Sequence, residues 1–171
     1  VLRVDEEGIL TPYAGTGGPG VGTGVNGEGI PAIDAVFEGM LGMVIGPRGD
    51  MFILENTYIH YFGEYWRTVR RVDAATGIVT TVASDGAYGF GPEQCRDAYT
   101  SVGGAFSATV GPDDRLYIAD WECNRIYRDG VLIAGDGVDG FGGDGGNALN
   151  ASLSRPWSPV VDSAGNVYFV D

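Results

Sequence analysis

The chain has 171 residues and a mass of 17.9 kDa, which is the size of one ordinary domain. It carries 10 basic residues, all of them arginine, against 23 acidic ones, for a formal net charge of −13. Nucleic acids and anionic membranes need a basic surface, so this balance argues against both as partners, and no apolar run reaches the length of a membrane span. Hydrophobic residues make up 44%, enough for a packed core, and the 30 glycines favour many tight turns.

Three short apolar segments that end in an acid organise the chain. They are residues 49–55 (GDMFILE), 114–120 (DRLYIAD) and 165–171 (GNVYFVD), and their acidic ends stand 65 and 51 positions apart. A longer match aligns residues 27–37 with 143–153 without gaps, at an offset of 116 positions. The same offset carries Glu55 onto Asp171, so we interpret the chain as an internal repeat.

The repeat predicts four-stranded antiparallel modules. In the module at 105–134, apolar residues alternate, and turn residues at 112–114 and at 129–130 separate the predicted strands. β-Branched and aromatic side chains are enriched throughout, and no segment longer than about ten residues keeps a helical period. In chain order we predict half a blade at 1–14, complete blades at 39–83 and 105–134, and half a blade at 157–171. An all-β fold built from such modules is typical of a β-propeller, and this chain would form part of one.

About three modules cannot close a ring, because propellers usually need four to eight blades. Two interpretations stay open. Flanking sequence completes the ring if the chain is a piece of a longer protein, which we favour, or a second chain supplies the remaining blades.

Two glycine-rich connections, 15–36 and 135–156, precede predicted blades. Residues 142–146 (GGDGG) superficially resemble a phosphate-binding loop, but such a loop needs a following helix and usually a lysine, and the chain has none. A Ca²⁺ ion could instead bind carboxylates here; the candidates are Asp136, Asp139 and Asp144. We favour a structural role for this segment, in which the glycines allow positive φ where the chain crosses between blades, and we expect no resident cofactor.

The acids that end the second strand of each module are Glu55, Asp120 and Asp171. On a ring they could converge on a central channel and hold a cation or a polar ligand. We favour the alternative that each accepts backbone N–H bonds from the following loop.

The two cysteines fall beside the same predicted blade. Cys123 lies between its second and third strands, and Cys95 lies in the connection that leads into it. In an oxidising compartment a bridge between them would add about 3 kcal/mol of stability, and two free thiols are the alternative.

An aromatic insertion in the first complete blade is the most informative local feature. Its second-to-third strand loop is eight residues longer than in the next blade, and it holds the chain's single histidine. Aromatic side chains suit stacking on sugar rings or docking on a protein, while packing of the insertion on itself is the alternative. The candidate partner-binding residues are Tyr58, His60, Tyr61, Phe62, Tyr65 and Trp66.

Residues 134–168 (AGDG…GFGGDGGNA…VVD…GNVY) and 116–128 (LYIADWECNRIYR) resemble the NHL repeat. The resemblance implies a propeller, commonly of six blades, that acts as a binding or spacing module. The form with the long Gly-Asp-Gly-Gly connection is typical of bacterial extracellular and cell-wall-associated proteins, including Rhs and teneurin-like polypeptides, which implies a secreted or cell-surface location.

The sequence therefore predicts a non-catalytic extracellular module that binds a protein or glycan partner through its loop faces. A serine triad is disfavoured because the chain has one histidine and no Gly-x-Ser-x-Gly. Two alternatives stay open: part of a metal-dependent propeller lyase or lactone hydrolase, and a purely structural module of a shell, adhesin or filament.

Overall fold

A computed structural model describes residues 1–18, 27–59, 64–84 and 105–171. Short strands dominate the described part, and two single 3₁₀ turns, Ala32–Asp34 and Ala148–Asn150, lie 116 positions apart. The strands are β1 (Leu2–Val4), β2 (Leu10–Pro12), β3 (Met40–Ile45), β4 (Met51–Ile59), β5 (Glu64–Val72), β6 (Val79–Ser84), β7 (Ala105–Val110), β8 (Leu116–Asp120), β9 (Arg125–Arg128), β10 (Val131–Ala134), β11 (Trp157–Val161) and β12 (Val167–Val170).

Every sheet is an antiparallel meander in chain order. Strands β3–β6 form one four-stranded sheet, blade A, and β7–β10 form a second, blade B. The hairpins β1–β2 and β11–β12 form two further sheets of two strands each, half blade N and half blade C. The predicted all-β fold of four-stranded, propeller-like blades is confirmed.

Blade A, blade B and half blade C pack against one another in that order. Strand β3 contacts β7, and β7 contacts β11, so the first strands of successive sheets lie side by side, as in a propeller. Between blades A and B the core contains Phe52 and Leu54 on one side and Leu116 and Ile118 on the other. These side chains of β4 and β8 are buried between the two blades.

Blade A and half blade C contact the connections that precede them in equivalent ways. Met51 and Ile53 of blade A pack on Ala32 and Ala35 of the preceding connection. At the other end, Val167 and Phe169 of half blade C are the counterparts of the first two residues by the 116-residue offset. They pack beside a cluster that includes Leu153.

The aromatic insertion lengthens two strands. Strands β4 and β5 each have nine residues, against five in β8 and four in β9, so much of what the sequence suggested was a loop is paired backbone. Tyr58 is paired with Tyr65 in the register. The extension makes this hairpin the longest of the described strand pairs.

The two long connections share one set of backbone hydrogen bonds. The N–H of Gly15 donates to the carbonyl of Ala32, and the N–H of Gly135 donates to the carbonyl of Ala148.

Among the described residues, no helix is long and apolar enough to cross a membrane.

Candidate functional site

The three strand-ending acids accept backbone hydrogen bonds. Asp120 is fully buried and accepts the N–H of Cys123 at 2.9 Å, in the loop that follows its strand, as expected. Glu55 accepts the N–H of Glu38 at 2.9 Å, and Asp171 accepts that of Ser154 at 2.7 Å. For these two acids a donor in the following loop stays a prediction. Their donors lie 17 positions upstream, at the end of the connection that enters each blade.

Glu55 forms a buried ion pair with Arg70. The guanidinium of Arg70, with a side chain 1% exposed, lies 3.5 Å from the Glu55 carboxylate, 3.7 Å from that of Glu28 and 3.1 Å from the carbonyl of Gly27. Burial raises the pKa of Glu55 despite these favourable contacts and its bond to the Glu38 N–H. Arg70 thus holds the entering connection on blade A. Convergence of the three acids on a channel stays a prediction.

The aspartates proposed for calcium lie on the exposed connection 135–156. Asp136 is used locally, because its carboxylate accepts the N–H of Val138 at 2.8 Å and the hydroxyl of Ser152 at 3.1 Å. In the part of the chain that the structure describes, no group of three or more histidine, cysteine or carboxylate side chains is placed to hold a metal ion. Asp136, Asp139 and Asp144 form no such group.

The predicted bridge involves one described residue. Cys123 is 1% exposed and is not a free thiol. Cys95 lies outside the described residues, so the Cys95–Cys123 pairing stays a prediction.

The aromatic insertion is described in part. Tyr58 lies at the end of β4, and Tyr65 and Trp66 lie at the start of β5. His60, Tyr61 and Phe62 fall outside the described residues, so the proposed partner surface stays a prediction.

A cleft of about 670 Å³ opens where the β8–β9 loop meets connection 135–156. It was not foreseen from the sequence. Its lining combines an aromatic ring, two carboxylates, an amide and a guanidinium, from Trp121, Glu122, Asn124, Asp139 and Arg155.

The cleft wall is built by stacking across two segments. The Arg155 guanidinium lies 5.6 Å from the centre of the Trp121 ring, and the Trp157 ring meets Trp121 edge to face at 6.2 Å. Such arrangements are favourable by roughly 0.5–1.5 kcal/mol each. These two contacts hold the Trp121 indole in place, although part of the side chain is exposed to solvent.

Polar contacts anchor the same wall to its neighbours. The side-chain oxygen of Asn124 accepts the N–H of Arg155 at 2.8 Å, and Glu122 pairs with Arg67 of blade A at 2.9 Å. The base of the long β4–β5 hairpin is thus tied to the cleft.

Strained backbone concentrates beside the cleft. Asn124, Arg155 and Ser158 adopt φ values of 53°, 57° and 53°. Non-glycine residues seldom adopt this region, and such strain clusters at ligand sites. The sequence did contain a signal for the cleft. A tryptophan directly follows the strand-ending Asp120, and a second one occurs in Arg-Pro-Trp at 155–157.

The fold and the cleft together define the class: a propeller-like all-β protein with an aromatic and charged cleft at one end of its blades. No model of a known protein family matches the chain, and no curated protein matches its sequence.

Proposed function

We propose that the chain is a non-catalytic, NHL-type propeller module of the secreted or cell-surface kind, and that it binds a glycan in the Trp121–Arg155 cleft. The observation that carries the proposal is the position of an indole ring beside a guanidinium and carboxylates in one open cleft. Sugars present C–H faces to aromatic rings and hydroxyl groups to such polar atoms.

The size of the cleft supports a small ligand. About 670 Å³ falls within the range of roughly 300–1,000 Å³ typical of small-molecule sites, and one or two sugar rings fit such a volume. A protein partner would use a flatter surface, for which the aromatic hairpin around Tyr58 and Tyr65 stays the better candidate.

The charge of the chain favours neutral over acidic sugars. The chain as a whole is strongly acidic, and Asp139 brings a carboxylate to the cleft, while the charge of Glu122 is balanced by its ion pair with Arg67. Neutral sugars should therefore bind better than uronic or sialic acids.

The test is a panel of neutral and acidic oligosaccharides measured by calorimetry against the chain and two pairs of variants. Trp121→Ala and Arg155→Ala should each weaken binding of a neutral oligosaccharide by about tenfold or more. Their matched controls are Phe141→Ala, which removes a ring that is 85% exposed, and Arg48→Ala, which removes an exposed guanidinium outside the cleft.

Three results would contradict the proposal. Absence of binding across the panel is one, and equal affinity in the cleft variants and their controls is the second. Binding that depends on the aromatic hairpin instead, lost in Tyr65→Ala and retained in Arg155→Ala, would move the partner site away from the cleft.

A further inference from the structure

Arg155 has a backbone conformation that the other copy of the repeat gives to a glycine. By the 116-residue offset its counterpart is Gly39, and the φ values of the two residues are 57° and 55°. Glycine adopts this left-handed region without a steric cost, whereas arginine is strained in it. The fold alone therefore favours glycine at this position, and the presence of an arginine needs another reason.

The contacts of the Arg155 side chain supply that reason. The residue is exposed, and its guanidinium lies 5.6 Å from the centre of the Trp121 ring, where both side chains line the cleft. Strained backbone that persists at an exposed polar residue is typical of a site that binds a ligand. We therefore treat the Arg155 guanidinium as a group that contacts the ligand.

The charged groups of the cleft balance one another. A guanidinium nitrogen of Arg67 lies 2.9 Å from the Glu122 carboxylate, and the Arg67 side chain is only 9% exposed. Asp139 adds a second carboxylate to the lining, and Arg155 adds a guanidinium. A charged group on the ligand would meet a repelling group as well as an attracting one. The lining therefore suits a polar group that is uncharged and has both a donor and an acceptor.

An acetamido group has these properties and an apolar part as well. Its carbonyl oxygen accepts hydrogen bonds of the kind that Arg155 donates, and its N–H donates to a carboxylate such as that of Asp139. Its methyl group and planar amide can pack on the indole of Trp121. A hydroxyl group has no such planar face, and a protonated amino group carries a charge that Arg155 repels.

We propose that the cleft selects N-acetylated amino sugars. Arg155 recognises the acetamido carbonyl, and Trp121 provides the surface on which the group packs. Arg67 is a positioning residue that holds and neutralises Glu122 from the neighbouring blade. The inference rests on the proposed function, because it names the class of glycan that the Trp121–Arg155 cleft binds.

The first test compares three trisaccharides of the same linkage that differ only in the substituent on the second ring carbon. They are chitotriose, which carries acetamido groups, its de-N-acetylated form, which carries amino groups, and cellotriose, which carries hydroxyl groups. Calorimetry with the parent chain should show that chitotriose binds about tenfold or more tightly than the other two.

The outcomes of this test separate the two proposals. Equal affinity for chitotriose and cellotriose, or binding of another neutral oligosaccharide but not of chitotriose, overturns this inference and leaves the proposed function standing. Absence of binding by every oligosaccharide overturns both.

The second test separates the ligand-binding role of Arg155 from a structural one. Arg155→Gly should lose the preference for chitotriose over cellotriose, and Arg155→Lys, which keeps the charge but not the planar donor group, should keep only part of it. The melting temperature of Arg155→Gly should be at or above that of Arg155→Ala, because glycine accepts a φ of 57° without strain. A lower melting temperature for the glycine variant would refute the argument from the repeat, and a full preference retained in it would remove Arg155 from recognition.

The third test concerns the neutralisation of Glu122. Arg67→Met leaves its carboxylate uncompensated, so affinity for the amino trisaccharide relative to chitotriose should rise about two- to fivefold. Glu122→Gln should lower the same ratio, so the test does not depend on the folding of one variant. The matched control is Arg48→Met, which breaks an ion pair with Asp114 that also joins blades A and B but lies outside the cleft. An unchanged ratio in both variants, or the same change in the control, overturns the role given to Arg67.

Discussion

Alanine substitutions at two glycines of connection 135–156 separate two energetic costs: that of a strained backbone and that of steric overlap. Gly135 and Gly145 have φ values of 93° and 75°, so alanine is strained at both. A Cβ at Gly145 would meet nothing within 4 Å, whereas one at Gly135 would overlap the carbonyl oxygen of Asn124. Substitution at Gly135 must therefore move backbone that also supports Arg155.

The magnitudes follow from those two terms. Alanine at a positive φ costs about 1–2 kcal/mol, which is the whole expected effect of Gly145→Ala. Overpacking adds about 1–3 kcal/mol, so Gly135→Ala should lose about 2–5 kcal/mol in free energy of unfolding. At roughly 2–4 °C per kcal/mol, the melting temperatures of the two variants should differ by several degrees.

Urea unfolding followed by circular dichroism measures both variants against the parent chain. The Gly135 variant should also weaken ligand binding in the cleft, because the Asn124 side chain orients Arg155. Equal destabilisation by the two substitutions would refute the steric argument. So would a Gly135→Ala chain as stable as the parent.

Two further predictions concern charged groups. Glu55→Gln removes the carboxylate 3.5 Å from the buried Arg70 guanidinium, and urea unfolding should show a loss of about 3 kcal/mol, with Leu149→Gln on the exposed connection as the neutral control. Hydrogen bonds from Asn166 lower the pKa of Asp162, so this carboxylate stabilises the fold above its ordinary pKa of 3.8, and the contribution is lost as the pH falls through the lowered value. Asp162→Ala should be less stable than the parent at pH 7, and the deficit should narrow as the pH falls below 3.8, because the protonated acid accepts these hydrogen bonds less strongly; a deficit of constant size across that range contradicts the assignment.

The strand order of the blades could be predicted because its signals are local. Alternating apolar residues that end in an acid mark β4, β8 and β12, and the turns around Gly49 and Gly130 separate neighbouring strands. Each strand pairs with its neighbour in sequence, so a local pattern suffices to predict the meander.

The cleft and the partners of the acids depend on contacts between distant segments. Trp121 and Arg155 are 34 positions apart and meet only when connection 135–156 folds against blade B. The donors to Glu55 and Asp171 were not predicted, because along the chain the backbone nearest to each acid is the loop that follows it. In the fold, the connection that precedes the blade ends at the same sheet edge and supplies the donor. The common spacing of 17 positions in two modules was the sequence signal for that contact.

One short piece of backbone anchors both the acid that ends the second strand of half blade C and the wall of the cleft. Ser154 donates its N–H to Asp171 beside β12, and Arg155 donates the next N–H to Asn124 in the cleft. A shift of this segment would therefore change both contacts together, so the position of Arg155 in the cleft depends on the strand-ending acid as well as on Asn124.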